Sequence, residues 1–185
     1  MAFDADQVFE VVSERLPEAG IDFLMIGGHA VNYYGYVRAT QDIDFMVAAS
    51  DEQTLRDVMS KAGFTNIASH ENVIFFSRPD SPLRVDFLKV NRETMDKLLA
   101  NATAIDYFEG HTIRVPQLRD LLAMKIFALK SGKVERDEKD LPDIAHLVVE
   151  HGLDVEEVLK PLCDEFGSVD IYNRLCERIA RLKND

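Results

Sequence analysis

Three aspartates stand where an apolar strand would ordinarily exclude them. Asp42 and Asp44 flank Ile43 just ahead of the apolar run Phe45-Met46-Val47, and Asp86 interrupts the stretch "LRVDFLKV". Side chains along a strand alternate between faces, so Asp42 and Asp44 are expected to point the same way while Ile43 and Phe45 face the core. Asp86 is out of phase with Val85 and Phe87, which puts a poor strand former on the polar face of an apolar strand. Like charges on one surface repel and raise each other's pKa unless solvent or a cation takes up the charge. A hard divalent cation such as Mg²⁺, which prefers carboxylate oxygens, meets that need. If the Asp86 strand lies beside the Asp42-Asp44 strand, three carboxylates converge, enough to hold two Mg²⁺ ions about 4 Å apart for an in-line phosphoryl-type displacement. The alternatives are a solvated strand face for the pair, and for Asp86 an edge strand with Arg84 or Lys89 as its counter-ion.

Further polar residues surround this pattern. Gly27-Gly28 falls between an apolar run and a helix-like stretch, where backbone N–H groups can approach an anion and the helix start favours negative charge; an ordinary tight turn is the alternative. Neither the P-loop nor the dinucleotide glycine pattern is present. Leu118, Leu122, Lys125 and Leu129 are spaced 4, 3 and 4, which sets Lys125 in the apolar stripe of a helix. Its ammonium either snorkels to water or projects into a cleft to meet phosphate. Arg38 and Thr40 can contact phosphate or orient Asp42, or Arg38 is simply exposed. Asp140, with Pro142 and Asp143 behind it, reads as an N-cap opening a helix.

The elements that must position these residues follow from periodicity and punctuation. A surface helix is expected over residues 4–16, ended by Gly20, then a short buried strand in "DFLMIGG" and a helix through "HAVNYYGY". "QDIDFMVAA" is a strand. Ser50 is the expected N-cap of a helix over 51–62, and Gly63 its stop. Strands are expected in "FTNIAS", "NVIFFS" and "LRVDFLKV", then a short helix near 92–100 and a hairpin "AIDYFEGHTIRV" turning at Glu109-Gly110. From Pro116 onward the chain reads as helices over about 116–130, 140–151, 154–166 and 168–182. The charged segment Ser131 to Lys139 reads as an exposed loop. The expected organisation is therefore an α/β (α+β) core over 1–115 and a C-terminal helical lobe over 116–185.

Composition narrows the function classes. With 185 residues, 46% hydrophobic and 29% charged, the chain is large enough for a substantial core. A formal net charge of −12 opposes broad binding to nucleic-acid phosphates, although a local basic cleft can still accept one strand or a nucleotide. There is neither a charged-then-apolar leader nor an apolar run of about 18 residues, so a cytoplasmic protein with no membrane partner is expected. Cys163 and Cys176 lack zinc-type spacing and are expected to be reduced and packed.

Gly27-Gly28, then fourteen residues on Asp42-Ile43-Asp44, then a single carboxylate on a later strand, resembles the signature of the DNA polymerase β-like nucleotidyltransferase superfamily. "GGHAVNYYGYVRATQDIDFMV", with Lys125 in "DLLAMKIFAL" and Asp140 and Asp143 in "KDLPDIAHL", is similar to the minimal nucleotidyltransferases of the AbiEii type, from abortive-infection and toxin–antitoxin systems. The resemblance spans about residues 22–148. It implies a mixed, largely antiparallel sheet flanked by helices, two Mg²⁺ ions and an NTP as substrate. Asp42 and Asp44 would hold both metals, Asp86 would ligate the catalytic metal and help activate the acceptor hydroxyl, and Lys125 would act with them. Gly27, Gly28, His29, Arg38, Thr40, Lys125 and Asp140 would contact the nucleotide. Many relatives have Gly-Ser where His29 follows Gly28 here, which leaves phosphate contact to backbone N–H groups or the imidazole. The leading expectation is transfer of NMP from an NTP to a hydroxyl of a protein or RNA acceptor with release of pyrophosphate, with a cognate antitoxin as a further partner. The alternatives are modification of a small hydroxylated antibiotic of the aminoglycoside or lincosamide kind, and a non-catalytic nucleotide-binding module.

Overall fold

The computed structural model describes residues 5–107 and 110–184. They divide into two compact units, Met1–Ala30 with Ala39–Gln117, and Val31–Arg38 with Leu118–Asp185.

The first unit is built on a five-stranded sheet. Its strands are β1 (Phe23–Met25), β2 (Ile43–Ala48), β3 (Asn66–Ser69), β4 (Val73–Ser77) and β5 (Arg84–Val90), in the order β1-β2-β5-β4-β3. Only β2 and β5 run parallel; the other neighbouring pairs are antiparallel, so the sheet is mixed and largely antiparallel. β2 and β5 are central; β2 is apolar apart from Asp44, whereas β5 carries Arg84, Asp86 and Lys89 among its apolar residues. A separate hairpin, β6 (Thr103–Tyr107) and β7 (His111–Val115), packs β7 against β1. Glu109 of the expected turn lies outside the described residues, and Gly110 follows with a φ of 101° that suits glycine.

The expected N-terminal helix begins, among the described residues, at Ala5. It runs as α1 (Ala5–Glu10), a π-helical turn (Val11–Arg15) and α2 (Leu16–Glu18). Val8, Phe9, Val12 and Leu16 are fully buried in one core with Phe45, Phe76 and Phe87 of the sheet. After β1, α3 (Gly27–Tyr33) starts directly at the first glycine. α4 (Glu52–Lys61) is preceded by a 3₁₀ turn over Ala49–Asp51, so the N-cap position falls on Asp51 and not on Ser50, whose hydroxyl donates to the Asp51 carboxylate at 3.0 Å. α5 (Arg92–Asn101) is capped by Asn91, whose side chain accepts from the Thr94 N–H.

The second unit is helical: α6 (Leu118–Leu129), α7 (Val134–Glu150), a π-helical turn (Val155–Leu159), α8 (Lys160–Phe166) and α9 (Val169–Leu182). Leu122, Ile126, Ile144, Val148, Leu162 and Leu175 form its interior. The expected charged loop ahead of Asp140 is corrected: α7 begins at Val134 and carries Pro142 inside the helix. Glu135 and Asp137 supply an acidic first turn, and Arg136 approaches Asp140 at (i, i+4) within 3.5 Å, so this run has its own reasons to be helical. Asp140 is therefore a mid-helix residue and not an N-cap. Cys163 and Cys176 are free thiols, and burial pushes Cys163 up to about 11.

Candidate active site

Two constellations emerge, one in each unit. In the first, the parallel register of β2 and β5 sets Asp44 directly opposite Asp86, with Ile43 opposite Val85 and Phe45 opposite Phe87 beneath them. Asp42 stands immediately before the first residue of β2, and its backbone oxygen accepts from the Thr40 hydroxyl at 3.2 Å. Asp86 is only 7% exposed and lies on a central strand, not an edge. Burial raises its pKa to about 6, the charges of Asp44 and Asp42 push the same way, and its bonds to Arg84 oppose them. Arg84 Nε donates to Asp86 Oδ1 at 2.8 Å, and its Nη2 donates to Asp86 Oδ2 at 2.9 Å and to Asp42 Oδ2 at 3.0 Å. Lys89, the other candidate counter-ion, is engaged by Glu52 at 2.8 Å.

Gly27 owes its place to this cluster. The Ile26 N–H donates to the Asp44 backbone oxygen at 2.9 Å, which draws the start of α3 close to β2. A Cβ on Gly27 would come within 2.0 Å of Asp44 Oδ2, and the residue has a φ of +63°. Any side chain would collide with the carboxylate and strain the backbone as well. His29 is buried at the next turn; its Nδ1 shares a hydrogen bond of 3.0 Å with the Tyr107 hydroxyl, and Phe9 packs edge-on to both rings.

Three carboxylates beside one guanidinium leave an excess of negative charge, which adds to burial in raising the pKa of Asp86. The donors are all oxygens, which suits a hard cation of the Mg²⁺ kind. Among the described residues no group of three His, Cys, Asp or Glu side chains stands ready in metal-binding geometry. The carboxylates are arranged around the guanidinium of Arg84 instead.

The second constellation is buried between α6, α7 and the segment 31–38. Lys125 Nζ donates to Asp140 Oδ1 at 2.8 Å and to Asp143 Oδ2 at 2.7 Å. Arg38 forks onto Asp143, Nε to Oδ1 at 2.6 Å and Nη2 to Oδ2 at 2.7 Å. The Asn32 amide clamps the Arg38 backbone, donating to its oxygen and accepting from its N–H. Burial works against the Asp143 carboxylate, but the bonds and charges of Arg38 and Lys125 outweigh it and hold its pKa below the usual carboxylate value. Asp140 Oδ2 is buried without a hydrogen-bond partner. Lys125 thus neither snorkels to water nor stands alone: two of the three donors of its ammonium are taken by carboxylates.

Sequence reasoning gave no site role to Asp143 or Tyr107, and offered Arg84 only as the counter-ion of an edge-strand Asp86. Asp143 was read as a first-turn residue, yet it is fully buried; its (i, i+3) spacing from Asp140 puts both on one helix face, which was the available signal. Arg84 lies two residues before Asp86 and so shares its strand face, while nothing local marks Tyr107.

The sequence matches the family described as "Nucleotidyl transferase AbiEii toxin, Type IV TA system" over residues 13–172. The chain belongs to this family. Among solved structures, this AbiEii-family chain is similar to an antigenic nucleotidyltransferase-like protein from Paracoccidioides brasiliensis, with 17% identity, a TM-score of 0.54, and coverage of 95% of this chain and 94% of that one. It is also similar to ANT(2″)-Ia in complex with adenylyl-2″-tobramycin, with 11% identity, a TM-score of 0.57, and coverage of 96% and 98%. A third is the lincomycin-bound lincosamide antibiotic adenylyltransferase LnuA, with 15% identity, a TM-score of 0.54, and coverage of 80% and 98%. At such identities these likenesses establish a shared fold. No protein of curated function matches the sequence. Among the described residues no helix is long and apolar enough to cross a membrane.

Proposed function

We propose that this AbiEii-family nucleotidyltransferase uses Mg²⁺ to move NMP from an NTP onto a hydroxyl of a protein or RNA acceptor, releasing pyrophosphate, as the toxin of a toxin–antitoxin pair in the cytoplasm. The observation that supports it most is the facing of Asp44 and Asp86 across two parallel strands, with Asp42 beside them. In this reading Asp42, Asp44 and Asp86 would be the residues that hold two divalent cations. Bound there, the cations supply Lewis-acid stabilisation of the charge that develops on the phosphates. Asp86 takes up the acceptor hydroxyl's proton as the hydroxyl oxygen attacks the α-phosphorus and pyrophosphate leaves. The Gly27-Gly28 turn, with His29, receives the triphosphate. Thr40 orients Asp42 through its backbone. Arg38, Lys125 and Asp140 are the nucleotide-contacting candidates of the helical unit, the third N–H of Lys125 being the one offered to phosphate.

The test is incubation of lysate with each radiolabelled NTP and purified protein, with pyrophosphate release measured in parallel. Label in protein or RNA, lost with Asp44→Asn, is expected. Label in a small molecule favours the alternative of antibiotic modification, which the net charge of −12 suits if the acceptor is cationic. Nucleotide binding without pyrophosphate release would identify a non-catalytic module.

A further inference from the structure

Arg84 has no part in the reaction just described, yet it makes more bonds to the aspartates than any other side chain described. Its guanidinium covers both oxygens of Asp86 and one oxygen of Asp42, at 2.8 to 3.0 Å. It also lies over the Phe75 ring, 4.9 Å from the centroid, on the strand next to β5. The side chain is 47% exposed, so a path to solvent is open to it. A guanidinium fork donates along the same carboxylate lone pairs that a metal ion requires. The guanidinium and a cation therefore compete for Asp42 Oδ2 and Asp86.

We propose that Arg84 is a displaceable internal counter-ion. Closed on Asp42 and Asp86, it offsets the repulsion between the aspartates; swung out towards solvent, it frees them for a divalent cation, and its closing strength sets the site's apparent metal affinity. The inference rests on the reading of these carboxylates as metal ligands. Closure lowers apparent affinity by the fraction of molecules in which the fork is open. The arginine side of the pair is half-exposed, so water can receive the guanidinium when the fork opens and the residue tunes the site without blocking it.

The experiment is Mn²⁺ binding by electron paramagnetic resonance to the full chain, comparing the parent with Arg84→Met and Arg84→Lys. Arg84→Met is expected to bind Mn²⁺ tighter by about fivefold, the upper weight of a partly exposed pair, with Arg84→Lys between the two. In the parent, the Arg84 Nε–Hε resonance is expected to shift on titration with Mg²⁺, a change that a purely structural arginine would not show. Equal or weaker Mn²⁺ affinity in folded Arg84→Met, or an Arg84 resonance unmoved at saturating Mg²⁺, overturns the proposal while leaving the carboxylates as ligands. If neither parent nor variants bind Mn²⁺, the metal reading fails and this inference with it.

Discussion

Replacing Lys125 with methionine keeps the aliphatic stem in the α6 stripe and deletes the charge from a cluster with almost no solvent. The side chains of Lys125, Asp140 and Asp143 are 7%, 4% and 0% exposed. Asp143 would keep its fork from Arg38, so most of the damage falls on Asp140, left with Arg136 at 3.5 Å and with one oxygen already unbonded. Removing one partner of a buried ion pair costs about 3 to 5 kcal/mol, and the surviving fork argues for the lower end. Because methionine fills the same channel, little cavity cost is added. At about 2 to 4 °C per kcal/mol for a chain of this size, the melting point should fall by roughly 6 to 12 °C. Thermal melts followed by circular dichroism measure it. Adding Asp140→Asn to Lys125→Met should recover at least half the loss, since the amide carries no charge to strand. NTP affinity of the still-folded Lys125→Met should fall by about 1.5 to 3 kcal/mol if its third N–H meets phosphate. A stability within about 0.5 kcal/mol of the parent's, the range of ordinary surface substitutions, would refute the buried-network argument.

Asp44→Asn removes one of two facing charges at nearly constant volume; in EDTA it should melt no lower than the parent, while nucleotidyl transfer falls by orders of magnitude. A lower melting point with transfer intact would make Asp44 a structural hydrogen-bonding residue. Gly27→Ala should destabilise the fold and abolish transfer together, because its Cβ collides with Asp44 and the φ is left-handed; a variant that melts like the parent contradicts the close approach. For Asp86, a folded pKa of about 6 against the ordinary 3.8 means that the fold favours the protonated acid. The stability this contributes is complete below 3.8 and is lost as pH rises through about 6, so melts in EDTA should rise as pH is lowered from neutrality, and Asp86→Asn should flatten that slope. Identical slopes in parent and variant would contradict the assignment.

Local pattern made the strands and their aspartates legible. Asp86 out of phase with Val85 and Phe87 was a period-2 signal, and Lys125 in its leucine stripe a period-3.6 signal. What the residues alone could not supply was pairing. Whether β5 lies beside β2 is decided some forty residues away along the chain, by hydrogen bonding and the burial of Phe45 against Phe87. Val31–Arg38 groups with the helices, where Arg38 meets Asp143 from 105 residues away, and no local preference announces that. Pro142 misled because proline ordinarily marks a helix start: inside α7 it forgoes an N–H bond and crowds the preceding turn, a local cost set against the buried contacts of Asp140 and Asp143 with Lys125. Thr40, by contrast, reaches only two residues ahead, and its link to Asp42 was readable from position alone.

The opposition of Asp44 to Asp86 also bears on how the chain finds its alignment. Sliding β2 along β5 by two residues would keep every side chain on its own face and put Asp44 opposite Arg84, exchanging a repulsive neighbour for an attractive one. Charge alone therefore favours the slipped alignment. Aromatic shape decides against it: Phe45 stacks on Phe87 at 5.4 Å between centroids, Phe23 and Phe76 close on that pair edge-on, and a slip would set Phe45 against Val85. The alignment that creates the candidate site is thus held by the buried face of the sheet against the preference of its polar face, a local frustration of the kind that sequences retain where chemistry requires it.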